Sequence, residues 1–359
     1  MGRENNEVKS NKSARDKTVK SEDSIQETGN KSIEELLTAS SKIVCNICME
    51  IRRHESVLII ADSSTIEIGQ SLHSVASKIS HRVLLVVMPM TKHHGEEPPE
   101  TVAEIMRHQN VIIAPTRFSI THTKACFLAC KEGARVATMP NINLEMYTKG
   151  AITADFTEIK KDITRISDKL KRRRIVNVSA INGTDVSFEI DHKKWIKEDS
   201  GICNRPGMVT NLPAGKIFVM PKEGTMNGTI VIDGSFDSAL ISEPLTMKVE
   251  DGFVVELEGG EQADAIRKTF ESAASKLKSK DMKNVWNVAQ FGFGINPKAK
   301  IVGNVLEDEK ALGSCYFAIG DNTSIGGNIK SGILISGVIK LPNVSVDTLK
   351  LMKEGNLLI

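Results

Sequence analysis

The sequence is poor in the groups that most soluble functions lean on. Aromatic residues make up only 4%, with two Trp and two Tyr, too few for the stacking platforms that hold single-stranded nucleic acid. Lys plus Arg number 47 against 45 Asp plus Glu. That balance removes the electrostatic case for a nucleic-acid or membrane-surface protein. No apolar run reaches the ~18 residues that a spanning helix needs. The opening residues Met1-Gly2-Arg3-Glu4-Asn5-Asn6 carry no apolar segment, and Asn6 stands where a myristoylation signal wants Ser or Thr. A cytoplasmic protein is expected.

The eight histidines are His54, His73, His81, His93, His94, His108, His122 and His192, and none follows His192. A metal site built on histidines of the C-terminal half is therefore excluded. Six cysteines are scattered, and Cys45-x-x-Cys48 has no second pair at zinc-finger spacing. They read as small buried hydrophobes, with a redox or iron–sulfur role as the alternative. No GxGxxG follows the first expected strand, so a dinucleotide site has no fingerprint.

What is present is the length and composition of a globular chain, 359 residues with 40% hydrophobic and 26% charged, enough for one large or two medium domains. Residues 1–31 hold seven basic and six acidic residues and five scattered apolar ones. They cannot offset chain entropy and are expected to be disordered. Ser32-x-x-Glu35 forms a capping box ahead of a helix expected over 33–53. Continuous apolar runs at 57–62 and 82–88 predict strands buried on both faces, with further strands at 110–114 and 135–138. Helices are expected between them at 66–79, 101–108 and 119–132, and this alternation predicts a doubly wound parallel sheet.

A charged helix over 155–174 ends in Lys171-Arg172-Arg173-Arg174. The run reads as a solvated helix end suited to the dipole, with RNA contact as the weaker alternative. Beyond it the pattern changes to short alternating segments, with a hairpin signal at Glu250-Asp251-Gly252. One long amphipathic helix is expected over 262–282, and strands over 300–305, 314–319 and 332–339. The fold class is therefore α/β: a disordered tail at 1–31, an α/β domain at 32–172, and a β-rich α+β domain at 173–359.

Three stretches of the second half are too specific for packing alone. They are Asn211-Leu212-Pro213-Ala214-Gly215-Lys216 with its continuation through Asp233-Gly234-Ser235, then Ala289-Gln290-Phe291-Gly292-Phe293-Gly294-Ile295-Asn296-Pro297, and Gly303-Asn304-Val305-Leu306-Glu307-Asp308-Glu309-Lys310 running on to Asp321-Asn322. Together with Ser119-Ile120-Thr121-His122-Thr123-Lys124-Ala125 and Gly133-Ala134-Arg135-Val136-Ala137, they resemble the aminopeptidase T family of metalloaminopeptidases, which also contains the 2,5-dihydroxypyridine dioxygenases. The resemblance covers about residues 35 to 342.

The resemblance implies two domains, a homodimer, and a divalent metal between the domains that serves peptide hydrolysis or, as iron, ring opening. It places the family's ligand positions on Lys216, Gln290, Tyr316, Leu334 and Ser336, none of which is an acid or a histidine. Lys216 would set an ammonium where the family holds a cation, paired with Glu223 or Asp321. No metal or cofactor is therefore expected, although oxygen ligands from Glu223, Asp233, Asp308 and Asp321 leave a hard cation open. The resemblance also makes His122 an acid/base candidate, against a plain helix-start histidine bonded to neighbouring hydroxyls. Three functions are weighed. The first is a cleft protein with a degenerate site that binds a small molecule or peptide. The second is a metal-dependent aminopeptidase or dioxygenase with displaced ligands, using oxygen donors or His122 with His93 or His94. The third is an RNA-associated protein. Glu223, Asp308 and Asp321 are the cleft candidates, and whether the chain is an enzyme stays open.

Overall fold

The computed structural model describes residues 32–196 and 199–358; the expected tail, 1–31, lies outside them. Helix α1 (Ile33–Lys42) starts on the capping box, with the Ser32 hydroxyl taking the Glu35 N–H and the Glu35 carboxylate taking the Ser32 N–H. It runs into a π-helical turn, Ile43–Cys48, and stops short of the expected Arg53. The stop has a local cause: Glu50 takes a φ of 42° and turns the chain.

Strands β1 (Ser56–Ala61), β2 (Arg82–Val87), β3 (Val111–Ala114) and β4 (Arg135–Thr138) alternate with α2 (Ile66–Ala76), α3 (Glu100–Arg107) and α4 (Lys124–Lys131). All four strands pair in parallel. The chain continues through α5 (Leu144–Lys149) and α6 (Phe156–Lys169) into the hairpin β5 (Ile175–Ser179) and β6 (Asp185–Glu189). It then returns as β7 (Val209–Asn211), which adds to the parallel sheet beside β4. The sheet order is β2-β1-β3-β4-β7, so part of the region beyond residue 173 lies in the first sheet. No short-range signal announced this three-residue strand. β1, β3 and β4 are buried on both faces, but β2 is a sheet edge that leaves Leu84 and Val87 exposed. The apolar run of β2 is therefore not buried on both faces as its composition predicts: it forms the sheet edge and has no strand on its outer side.

The remaining strands are antiparallel. In chain order they are β8 (Lys216–Val219), β9 (Asn227–Ile232), β10 (Ser235–Phe236), β11 (Ala239–Leu240), β12 (Leu245–Glu250) and β13 (Phe253–Glu258), then, after α7 (Gly260–Ala274), β14 (Val288–Gly294). A short helix α8 (Val305–Asp308) precedes β15 (Ser314–Gly320), β16 (Leu334–Lys340), β17 (Asn343–Val346), β18 (Leu349–Lys353) and β19 (Asn356–Leu357). They form a six-stranded sheet, β11-β10-β16-β15-β14-β8, and an eight-stranded sheet, β13-β12-β9-β6-β5-β17-β18-β19. The expected fold class holds: an N-terminal α/β unit and a β-rich unit.

Two expected elements differ. The long helix ends at Ala274 and gives way to a 3-10 segment, Ser279–Trp286, whose Trp286 stacks on Phe270 with ring centroids 4.6 Å apart. The stretch 300–305 is a loop leading into α8 rather than a strand, because its N–H groups go to acids: Lys300 to Glu307 at 3.2 Å and Val302 to Asp308 at 2.7 Å.

The alternation Phe291-Gly292-Phe293-Gly294 in β14 sorts the two faces of the six-stranded sheet. Phe291 and Phe317 point into the sandwich and meet Phe188 of the other sheet edge-on, at centroid distances of 5.4 and 6.2 Å. The glycines open the opposite face. A Cβ on Gly292 would stand 2.5 Å from the Tyr316 ring, and one on Gly294 would overlap the Lys310 and Ala311 carbonyls.

Candidate functional site

Cross-strand register brings most of the suspected positions to that opposite face. Gly294 pairs with Lys216, Gly292 with Tyr316, and Ala318 with both Gln290 and Ser336. Partners directly opposite share a face, so Lys216, Gln290, Tyr316 and Ser336 line one wall. Leu334 opens β16 opposite Gly320 and is 46% exposed; none of the polar contacts of this wall involves it.

Lys216 does not pair with Glu223 or Asp321. Its Nζ lies 2.5 Å from Glu309 Oε2, because the segment after α8 crosses the strand ends at Gly294 and Asn296 and lays Glu309 over this face. The Ser336 hydroxyl donates to Glu309 Oε1 at 2.5 Å, and Lys310 Nζ lies 3.5 Å from Oε2. Lys216 Nζ also sits 4.8 Å from the Phe218 ring centroid and 5.1 Å from that of Tyr316, distances at which an aromatic face attracts a cation. Tyr316 is fully buried and donates to Gln290 Oε1 at 3.1 Å. Sequence reasoning missed Glu309, Lys310 and Asp199. Asp199 Oδ2 is buried without a hydrogen-bond partner among the described residues.

The electrostatics follow from this packing. Burial pushes the Glu309 carboxyl up, but the charges of Lys216 and Lys310 and the bonds from Lys216 and Ser336 outweigh it and hold it at about 2. Burial pushes the Lys216 ammonium down, yet Glu309, Tyr316 and Asp199 raise it well above the usual lysine range. Burial and the neighbouring Lys216 lower Lys310, against the pull of Glu309 and Asp199. Burial raises Asp199, opposed by Lys310 and Lys216.

These residues do not fit a divalent cation. Both oxygens of Glu309 are engaged, one by an ammonium and one by a hydroxyl. A 2+ ion within about 4 Å of an ammonium meets a repulsion of several kcal/mol even at an effective dielectric of ~20. Among the described residues no group of three or more His, Cys, Asp and Glu is placed to hold a metal ion.

The other candidates lie elsewhere and do not meet. His122 is exposed at the start of α4 and lines a cavity of about 650 Å³ with Phe127, Cys130 and Val209. The hydroxyls beside it are committed to other partners: Thr123 caps Cys126 N–H, and Thr121 bonds Thr138 and Asn211. Glu223 accepts from Asn322 Nδ2 at 2.9 Å and Asn328 N at 2.8 Å, holding a loop. Asp321 accepts from Thr323, Ser331 and Gly332 as a turn residue. Asp308 is fully buried and accepts Val302 N–H at 2.7 Å. The cysteines are free, and all but Cys130 are buried. Burial pushes the Cys45 and Cys203 thiols up to about 12, which suits packing rather than reactivity.

A second concavity lies at the C-terminal ends of the parallel strands. The order β2-β1-β3 reverses direction between β1 and β3, which is where open α/β sheets leave a crevice. Asp62 ties the two loops together, accepting Ser64 N at 2.9 Å, Ser64 Oγ at 2.6 Å and Arg117 N at 2.6 Å. Ser64, Arg117 and Asn141 face Val302, Asn304 and Glu307 across a cavity of about 380 Å³.

A doubly wound α/β unit followed by a β-rich antiparallel unit, with a polar wall on one face of the six-stranded sheet, defines a two-unit α/β class of protein. Residues 42–359 match the 2,5-dihydroxypyridine 5,6-dioxygenase family, NicX, and the chain belongs to it. The 2,5-dihydroxypyridine 5,6-dioxygenase of Pseudomonas putida is 25% identical over 186 residues, covering 48% of this chain and 51% of that protein. The chain thus spans about half the length of this curated relative. The solved 2,5-dihydroxypyridine dioxygenase of Pseudomonas putida KT2440 superposes with a TM-score of 0.74 at 18% identity, over 92% of this chain and 98% of that one. AmpT from Thermus thermophilus superposes with a TM-score of 0.64 at 13% identity, over 91% and 100%. At these identities the structures speak for the fold alone. The family is named for a dioxygenase, an oxidoreductase rather than the hydrolase considered from sequence. Among the described residues no helix is long and apolar enough to cross a membrane.

Proposed function

We propose that this chain is a family member in which a lysine–glutamate pair stands in the place the sequence resemblance assigns to the metal, and that it works as a small-molecule-binding protein rather than a metal-dependent ring-opening enzyme. The single observation that supports the reading is the 2.5 Å contact of Lys216 Nζ with Glu309 Oε2, closed on its other side by Ser336. An ion pair of this kind satisfies its own charge. Displacing it in favour of a cation leaves an ammonium buried beside a 2+ charge.

The family match over residues 42–359 favours a second reading, ring opening of a dihydroxypyridine with ligands drawn from elsewhere. Oxygen uptake separates the two. Purified protein mixed with Fe²⁺ and 2,5-dihydroxypyridine under air is expected to consume no oxygen above the protein-free rate. Turnover proportional to protein concentration would contradict the proposal and establish the second reading.

A further inference from the structure

Cys126 and Cys130 stand one helical turn apart on α4, and both line the cavity of about 650 Å³ that His122 also reaches. All six cysteines are free thiols, and this pair includes the one that is not buried, Cys130. Cys126 is 1% exposed and belongs to the apolar core beside the cavity. The two thiols act on each other. The bond from Cys126 lowers the Cys130 thiol against the upward push of burial, while that bond and burial raise Cys126.

Helix geometry decides what such a pair can hold. Residues at i and i+4 keep their Cβ atoms about 5–6 Å apart. A disulfide needs about 3.5–4.5 Å, so closing one would distort α4. A single bridging atom fits instead, because two metal–thiolate bonds of roughly 2.3 Å each span the gap. Thiolates select soft cations. A structural Zn²⁺ takes four ligands, and among the described residues no group of three or more His, Cys, Asp and Glu is placed to hold a metal ion. A linear soft cation needs only two.

We propose that Cys126 and Cys130 form a two-coordinate site for a soft monovalent cation, Cu⁺. Binding makes two Cu–S bonds and breaks two S–H bonds. Both protons leave to solvent, and copper keeps its oxidation state. The product carries a single negative charge, which Lys131 on the same cavity wall offsets. The cation enters from the cavity at Cys130, and the apolar packing around Cys126 screens it from water. The site shares no residue with the Lys216 wall, so its test is independent of the oxygen-uptake assay.

The test is anaerobic titration of the reduced full chain with Cu⁺ against bicinchoninate, whose colour reports the copper the protein leaves behind. The chain is expected to withdraw about one Cu⁺ per molecule. Folded Cys130→Ser and Cys126→Ala should each weaken retention by more than ~10-fold, the size of loss that changes merely beside a metal site produce. Mass spectrometry after brief iodoacetamide treatment gives a second readout. Cys130 should be the first thiol alkylated in the copper-free chain, and one equivalent of Cu⁺ should protect it. Failure to withdraw Cu⁺, retention unaltered by Cys130→Ser, or alkylation of Cys130 unslowed by bound copper would each overturn the proposal. Several equivalents held alike by the wild type and Cys130→Ser would mean adventitious thiol binding only, and would overturn it as well.

Discussion

At the scale of single residues, the Lys216–Glu309 pair is a commitment that cannot be half undone. Removing one partner leaves the other charged and buried, at a cost of about 3–5 kcal/mol, whereas removing both is commonly near neutral. Lys216→Met and Glu309→Gln are each expected to lose that much in urea unfolding, and the double variant to lose clearly less than the sum. Additive losses would mean that the pair contributes no coupling. Acid should reveal the same pair. The Glu309 carboxyl lies at about 2 in the fold against an ordinary 4.5, so its contribution is present above about pH 4.5 and is lost as pH falls through about 2. The shift corresponds to a contribution on the order of 3 kcal/mol. Unfolding free energies across that range should therefore fall more steeply in the wild type than in Glu309→Gln.

Glu307 carries the opposite sign. Burial lifts its carboxyl to about 7, against the pull of the Lys300 and Ala151 N–H groups. The neutral form is favoured in the fold, so the stability it gives is present below about pH 4.5 and lost as pH rises through about 7. Glu307→Gln should therefore gain on the wild type between pH 5 and pH 8, by on the order of 1–2 kcal/mol. A constant difference across that range would contradict the burial of this group.

At the scale of elements, one of the links between the two halves is a single side chain that satisfies backbone groups of both. Asn296, fully buried at the end of the Phe-Gly-Phe-Gly stretch, donates to Ala151 O at 3.0 Å and Ala214 O at 2.8 Å and accepts the Lys298 and Ala299 N–H groups. Asn296→Asp loses both donors and sets a carboxylate against two carbonyls. A fall in stability of about 2–4 kcal/mol is expected by denaturant titration; a loss under about 0.5 kcal/mol would show that the junction does not depend on it. The periodic elements were legible in the sequence. The capping box at Ser32, the buried runs of β1, β3 and β4, and the hairpin at Glu250-Asp251-Gly252 follow from local chemistry alone. β7 and the loop at 300–305 were not, because they are set by a partner strand and by acids several residues away. Lys216, Gln290, Tyr316 and Ser336 could be named from the family resemblance, but Glu309 could not be paired with Lys216, since 93 residues separate them and only the crossing at Gly294 brings them together.

At the scale of the whole molecule, family membership and fold agree, and the proposed function stands on the Lys216–Glu309 pair of the polar wall. The direct measurement is elemental analysis after the purified full chain is loaded with Fe²⁺, Mn²⁺, Co²⁺ or Zn²⁺ and dialysed. The ion-pair account predicts retention far below one metal per chain in the wild type. Stoichiometric retention of any of these ions, lost on substitution at this wall, would contradict it.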